Sequence, residues 1–125
     1  MCRNLTAQEK VIVRKMLSST DRADQLLEKL DDYRVVEAAD HCGLGGIDFL
    51  DSEGKVNRMS ETLVGACSVD QDGMLLHMHM NLDHNGEICG LEIWKEDGSA
   101  IVRYPEASEI RIFGDDIKPI EEDDL

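Results

Sequence analysis

Three dipeptides in the second half of the chain, Asp72-Gly73, Asn85-Gly86 and Asp97-Gly98, stand at regular intervals between apolar runs. Asn or Asp followed by Gly suits a type I′ turn, whose two central residues both need positive φ, so each pair predicts a two-residue hairpin loop. Three such turns fix the register of four antiparallel strands. They set Val69, Cys67, Gly65 and Leu63 opposite Leu76, Met78, Met80 and Leu82. Leu82, Met80 and Met78 then face Cys89, Leu91 and Ile93, and Ile93 and Leu91 face Val102 and Tyr104. All of these positions are apolar or glycine and all share one face, whereas a slip of one residue would exchange the faces. An antiparallel meander with one apolar face is expected, and that face needs a cover.

The N-terminal segment supplies the cover. Thr6 and Glu9 form a capping-box pattern at the start of a helix, and Ala7, Val11, Ile12 and Leu17 recur near the helical period. Ser18-Ser19-Thr20 interrupts, and a second helix is expected over Asp21–Asp32 with Ala23, Leu26, Leu27 and Leu30 as its apolar stripe. Neither helix is long enough to persist without packing. Val35-Val36 and Ile47–Leu50 read as short strands around a Gly43-Leu44-Gly45-Gly46 connection, and Glu109–Phe113 as a final strand through Ile110 and Ile112. The expected fold class is α+β: two N-terminal helices packed on an antiparallel β-meander sheet, one domain over residues 1–114, with an acidic tail over 115–125.

Composition narrows the function. A chain of 125 residues supports one core, and no apolar run approaches the roughly 18 residues of a membrane helix. Met1-Cys2-Arg3-Asn4 leads directly into a polar helical pattern rather than the apolar stretch of a secretory signal, so a cytoplasmic location without membrane attachment is expected. Cys2, Cys42, Cys67 and Cys89 are irregularly spaced with no CxxC pair, which predicts reduced thiols rather than disulfides or a zinc site. Thirteen basic against 27 acidic residues leave a net charge of −14. That sign repels nucleic acid and attracts basic proteins.

The second face of the predicted meander carries Ser68, His77, His79, Asn81, Glu92, Trp94 and Arg103. His77 and His79, two apart on a strand, project together and could approach a metal with Glu92 or Asp83 as oxygen ligand. The same register puts Arg103 beside Glu92, and a His79–Glu92–Arg103 cross-strand ladder needs no metal. Ser68 falls opposite His77 without a nucleophile elbow or oxyanion motif. The Gly43–Gly46 run lacks the lysine and spacing of a phosphate-binding loop. Asp70-Gln71-Asp72-Gly73 and Asp83-His84-Asn85-Gly86 resemble the opening of a calcium loop, yet the twelfth positions are Asn81 and Trp94, so both read as hairpin turns. An exposed Trp94 with a polar rim reads as a binding anchor, or else as a side chain covered by a loop or the tail.

Asn4-Leu5-Thr6-Ala7-Gln8-Glu9, Asp40-His41-Cys42-Gly43-Leu44-Gly45-Gly46, Asp70 to Gly73, Asn81-Leu82-Asp83 and Leu91-Glu92-Ile93-Trp94-Lys95 together resemble a small bacterial family of immunity proteins. Its members are found beside polymorphic toxins, including contact-dependent growth inhibition systems. The resemblance spans approximately residues 3 to 113 and implies a cytosolic protein that binds and neutralises a toxin domain, commonly a nuclease, with no catalytic residue and no cofactor. On this reading His77, His79, Glu92 and Trp94 contact the partner, with Asp115, Asp116, Glu121 and Glu122 of the tail as further contacts. The competing reading is a small metal-dependent or acid-base enzyme using His77, His79 and Glu92. A third is an adaptor with no toxin partner.

Overall fold

Thr6 opens the first helix as the capping box requires: its Oγ1 accepts the Glu9 amide at 3.1 Å, and the Glu9 carboxylate accepts the Thr6 amide at 2.9 Å. The computed structural model describes residues 2–37 and 46–114, and in it α1 runs over Ala7–Leu17. Glu9 is buried, and Arg3 neutralises it at 2.7 Å while also reaching Glu37 at 2.6 Å. Those two contacts tie the start of the helix to the paired strands β1 (Arg3–Asn4) and β2 (Arg34–Glu37).

The second helix is shorter than expected. Only Ala23–Leu27 is α-helical (α2), because from there amide bonds to the third residue back take over, Leu30 to Leu27 and Asp32 to Lys29. The tighter winding still delivers Leu26 and Leu30 to the core.

The remaining strands among the described residues are β3 (Ile47–Phe49), β4 (Glu61–Val69), β5 (Leu75–Leu82), β6 (Ile88–Lys95) and β7 (Arg111–Gly114). All seven join in one antiparallel sheet of order β1-β2-β3-β6-β5-β4-β7. The class is the expected α+β, with the helices preceding most of the sheet.

The turns differ from the type I′ expectation, and the difference moves a strand. Among the described residues only glycines have positive φ, so Asp72, Asn85 and Asp97 cannot occupy the first central position of such a turn. At the β4–β5 hairpin the Asp70 amide donates to the Met74 carbonyl and the Gly73 amide to the Asp70 carbonyl, both at 2.9 Å, enclosing three residues with Gly73 at φ +85. The pairing therefore shifts by one residue: Ser68 faces Leu76, Ala66 faces Met78 and Val64 faces Met80. Val64, Ala66 and Ser68 turn toward the helices and Gly65, Cys67 and Val69 turn away, whereas Leu63, at a bulge between the Thr62–Asn81 and Val64–Met80 pairs, still packs against the core. The β5–β6 hairpin has the same loop, between Asp83 and Glu87. Here a bulge at Cys89, between the pairs Leu82–Ile88 and Asn81–Gly90, restores the expected Met80–Leu91 and Met78–Ile93 partners.

The third hairpin does not form. Residues 101–104 lie outside the sheet, and β3 takes the edge of β6 instead, pairing Ile47 with Leu91. The backbone groups that a fourth ladder would use are engaged elsewhere: the Asp70 carboxylate accepts the Val102 amide at 2.7 Å and the Arg103 amide at 3.0 Å. The final strand starts at Arg111 rather than Glu109, because Ala107–Glu109 forms a 3₁₀ turn capped by Glu106.

Ile12, Val13, Met16 and Leu17 of α1 and Leu26 of α2 are buried in one cluster with Leu76, Met78, Met80, Leu91 and Ile93 of the sheet. No helix among the described residues is long and apolar enough to cross a membrane.

Candidate functional site

Strand alternation sends one set of side chains from β4, β5 and β6 into the helical layer and the other set to the opposite face, which no helix among the described residues covers. Two cross-strand rows occupy that second face: Trp94, His77, Cys67 and Arg111, and beside it Glu92, His79, Gly65 and Phe113. His77, His79, Glu92 and Trp94 are thus brought together.

The half-buried Trp94 organises the group. The His77 ring stacks on it with centroids 5.1 Å apart and planes 17° apart, and the His79 ring meets it edge-on at 4.9 Å and 89°. Gly65 lies opposite His79, and a Cβ there would meet the imidazole Cδ2 at 3.4 Å, in van der Waals contact. Beside them Asn81 donates to Glu92 Oε1 at 2.8 Å and accepts from Thr62 at 3.2 Å, which holds the Glu92 carboxylate in place. Glu96, largely exposed, brings Oε1 to 3.7 Å from His77 Nε2.

Two expected neighbours are elsewhere. Arg103 does not reach Glu92; it lies in the segment outside the sheet and pairs with Glu109 at 3.1 Å, so the His79–Glu92–Arg103 ladder does not exist. Ser68 does not face His77, because the one-residue shift places Cys67 there and turns the Ser68 hydroxyl into the core. Burial raises the Cys67 thiol above its ordinary range, which disfavours the nucleophilic thiolate. Among the described residues no three His, Cys, Asp or Glu side chains are grouped as a metal site. The tail acids Asp115, Asp116, Glu121 and Glu122, with His41 and Cys42, lie outside the described residues.

A second surface has its signal in the sequence, the Asp-x-x-Gly pattern that Asp51 and Asp83 share. Asp51 Oδ1 accepts the Glu53 and Lys55 amides, each at 2.9 Å, and Asp83 Oδ1 accepts the Asn85 and Glu87 amides at 2.8 and 3.0 Å. Their other oxygens share the Asn57 amide, at 3.0 and 3.1 Å. The Lys55 amide above all holds the Asp51 carboxyl below the usual carboxylate range. The two linked turns form one wall of a groove of about 820 Å³ whose lining includes Tyr33, Leu50 and Ile88. Tyr33 donates to the Leu26 carbonyl at 3.1 Å, and burial pushes its hydroxyl up to about 12.

These features define a two-layer α+β domain with a sheet face that no helix among the described residues covers and an acid-walled groove at one end. The chain belongs to the DUF6984 family, a domain of unknown function, whose model matches residues 2–105. No curated protein and no solved structure matches the chain.

Proposed function

We propose that this protein is an immunity protein, which binds and neutralises a cognate basic, nuclease-type toxin domain by occluding its active site. The observation that carries the reading is the Trp94 cluster: a large aromatic packed against two imidazoles on a sheet face that no helix among the described residues covers, with Glu92 and Glu96 at its border. Aromatic anchors ringed by polar groups dominate protein–protein binding energy. The net charge of −14 supplies long-range attraction to a cationic partner, raising encounter rates in a salt-dependent way. The motif resemblance to immunity proteins supplies the class of partner. An enzyme built on His77, His79 and Glu92 would need imidazoles presented to a substrate, whereas both rings here pack against Trp94.

The test pairs the purified protein with a toxin domain encoded in the adjacent reading frame. A stoichiometric complex that suppresses the domain's nuclease activity is expected. Trp94→Ala should weaken it by about two orders of magnitude without changing the circular dichroism spectrum. Absence of any complex at low ionic strength overturns the proposal.

A further inference from the structure

The acid-walled groove lies at the end of the sheet where the α2–β2 connection, the turn after β3 and the β5–β6 turn converge. We infer that this groove is a second docking site, which takes a basic, amphipathic segment of a protein partner. The inference rests on the reading of the chain as a binder of a basic protein, but it places a contact away from the Trp94 face.

Three properties of the groove select that occupant. Its size comes first: about 820 Å³ holds several side chains rather than a single ion. A metal ion is not what the inner carboxylates lack, since Asp51 and Asp83 already share the Asn57 amide and take two turn amides each. Charge comes second. Asp32, Asp51, Glu53, Asp83 and Glu87 line the groove against two cations, Lys29 and Arg34, a formal −3. Lys29 stands 3.9 Å from Glu87, and Arg34 is directed to the Cys2 sulfur at 3.6 Å. Asp51 and Asp83 are fixed by their own turns, so their charge is in position before anything binds.

The third property is apolar surface. Tyr33, Leu50 and Ile88 contribute ring and aliphatic carbon to the lining, and Val56, 49% exposed, is bridged to the lining residue Leu50. Large apolar side chains left in solvent beside a groove are a mark of protein interaction. A lysine or arginine stem can lie on the apolar lining while its charged end meets the carboxylates, and an apolar neighbour on the same segment meets Val56. A nucleotide or acidic peptide meets the wrong sign.

The experiment uses the full chain and a synthetic twelve-residue peptide alternating Lys or Arg with Leu, with a control in which Glu replaces each cation. Amide chemical shifts and fluorescence anisotropy are read at low salt. The inference expects shifts concentrated in residues 51–57 and 83–88, no binding of the Glu peptide, and affinity about tenfold weaker in the triple variant Asp32→Asn, Glu53→Gln, Glu87→Gln. Those three acids are chosen because their carboxylates cap no turn. Trp94→Ala should bind the peptide like the parent. No binding, unchanged affinity in the triple variant, or shifts confined to the sheet face overturns the groove site. Because toxin-domain capture is measured separately with Trp94→Ala, loss of the groove site and loss of the immunity reading give different results.

Discussion

Lys95 and Asp70 form an ion pair in the interior: the ammonium lies 3.1 Å from Asp70 Oδ2, with 1% and 0% of the side chains exposed. Lys95 also pairs with Asp72 and donates to the Ala100 carbonyl at 3.2 Å, while Asp70 takes the amides of Gln71, Val102 and Arg103. The pair therefore pins the segment after β6 onto the β4–β5 turn. Buried charges persist only with such a full set of partners.

Replacing Asp70 by alanine leaves the Val102 and Arg103 amides without their acceptor and the Lys95 charge with one partner fewer. Asp70→Ala should lower unfolding stability by about 3 kcal/mol in urea. Hydrogen exchange at Val102 and Arg103 should accelerate more than at Met78 or Ile93, and equal acceleration everywhere would remove the pinning role.

Acid should act through the same carboxyl. Burial alone would raise its pKa, but the Val102 and Gln71 amides, Lys95 and the Arg103 amide outweigh it and bring the value down to about 2. The unfolded value is about 3.9, so the unfolded chain binds the proton first. Its stabilisation is complete above pH of about 4 and is lost as pH falls toward 2. The stability difference between parent and Asp70→Asn should shrink across that interval, measured by urea midpoints at successive pH values, and a constant difference would contradict the assignment.

Ser68 carries a buried hydroxyl that has no hydrogen-bond partner among the described residues, on the core side of β4. An alanine there discards a desolvated polar group and keeps the backbone ladder. Ser68→Ala should gain roughly 0.5–1 kcal/mol in thermal or urea unfolding, where a loss of similar size would indicate a hidden partner.

Gly73 adopts φ +85 with open space where a Cβ would project. Gly73→Ala should therefore cost about 1 kcal/mol from backbone strain alone, without a steric contribution. A cost near zero would mean that the three-residue loop is not the one formed.

Thiol chemistry should separate three cysteines. Cys2 is exposed, and the hydrogen bond from Arg34 lowers its pKa, whereas burial raises Cys67 and pushes Cys89 up to about 11. Alkylation mapped by mass spectrometry should label Cys2 first, Cys67 next and Cys89 last. Early labelling of Cys89 would place it outside the core.

Local chemistry made much of this legible. The capping box at Thr6 needs only two side chains three residues apart, and the β5–β6 register followed from its turn because the Cys89 bulge offsets the longer loop. His77, His79, Glu92 and Trp94 met on one face for the same reason. The β4 strand was misplaced because Asp-Gly serves both two- and three-residue loops, and the choice depends on φ at Asp72. The absent fourth strand depended on Asp70 capturing amides far along the chain, an event with no local pattern. Nor does periodicity reveal that β3 fills the vacated edge of β6.

The Cys89 bulge gives the β5–β6 hairpin one residue of slack that the end of β4 beside its own turn does not have. Shortening the tip of the former by one can be absorbed by ironing out that kink, so the inward and outward sets of β6 keep their sides. The same deletion at the tip of the latter would force β4 to roll over, and lineages that trim this protein should therefore do so at one end of β5 and spare the other.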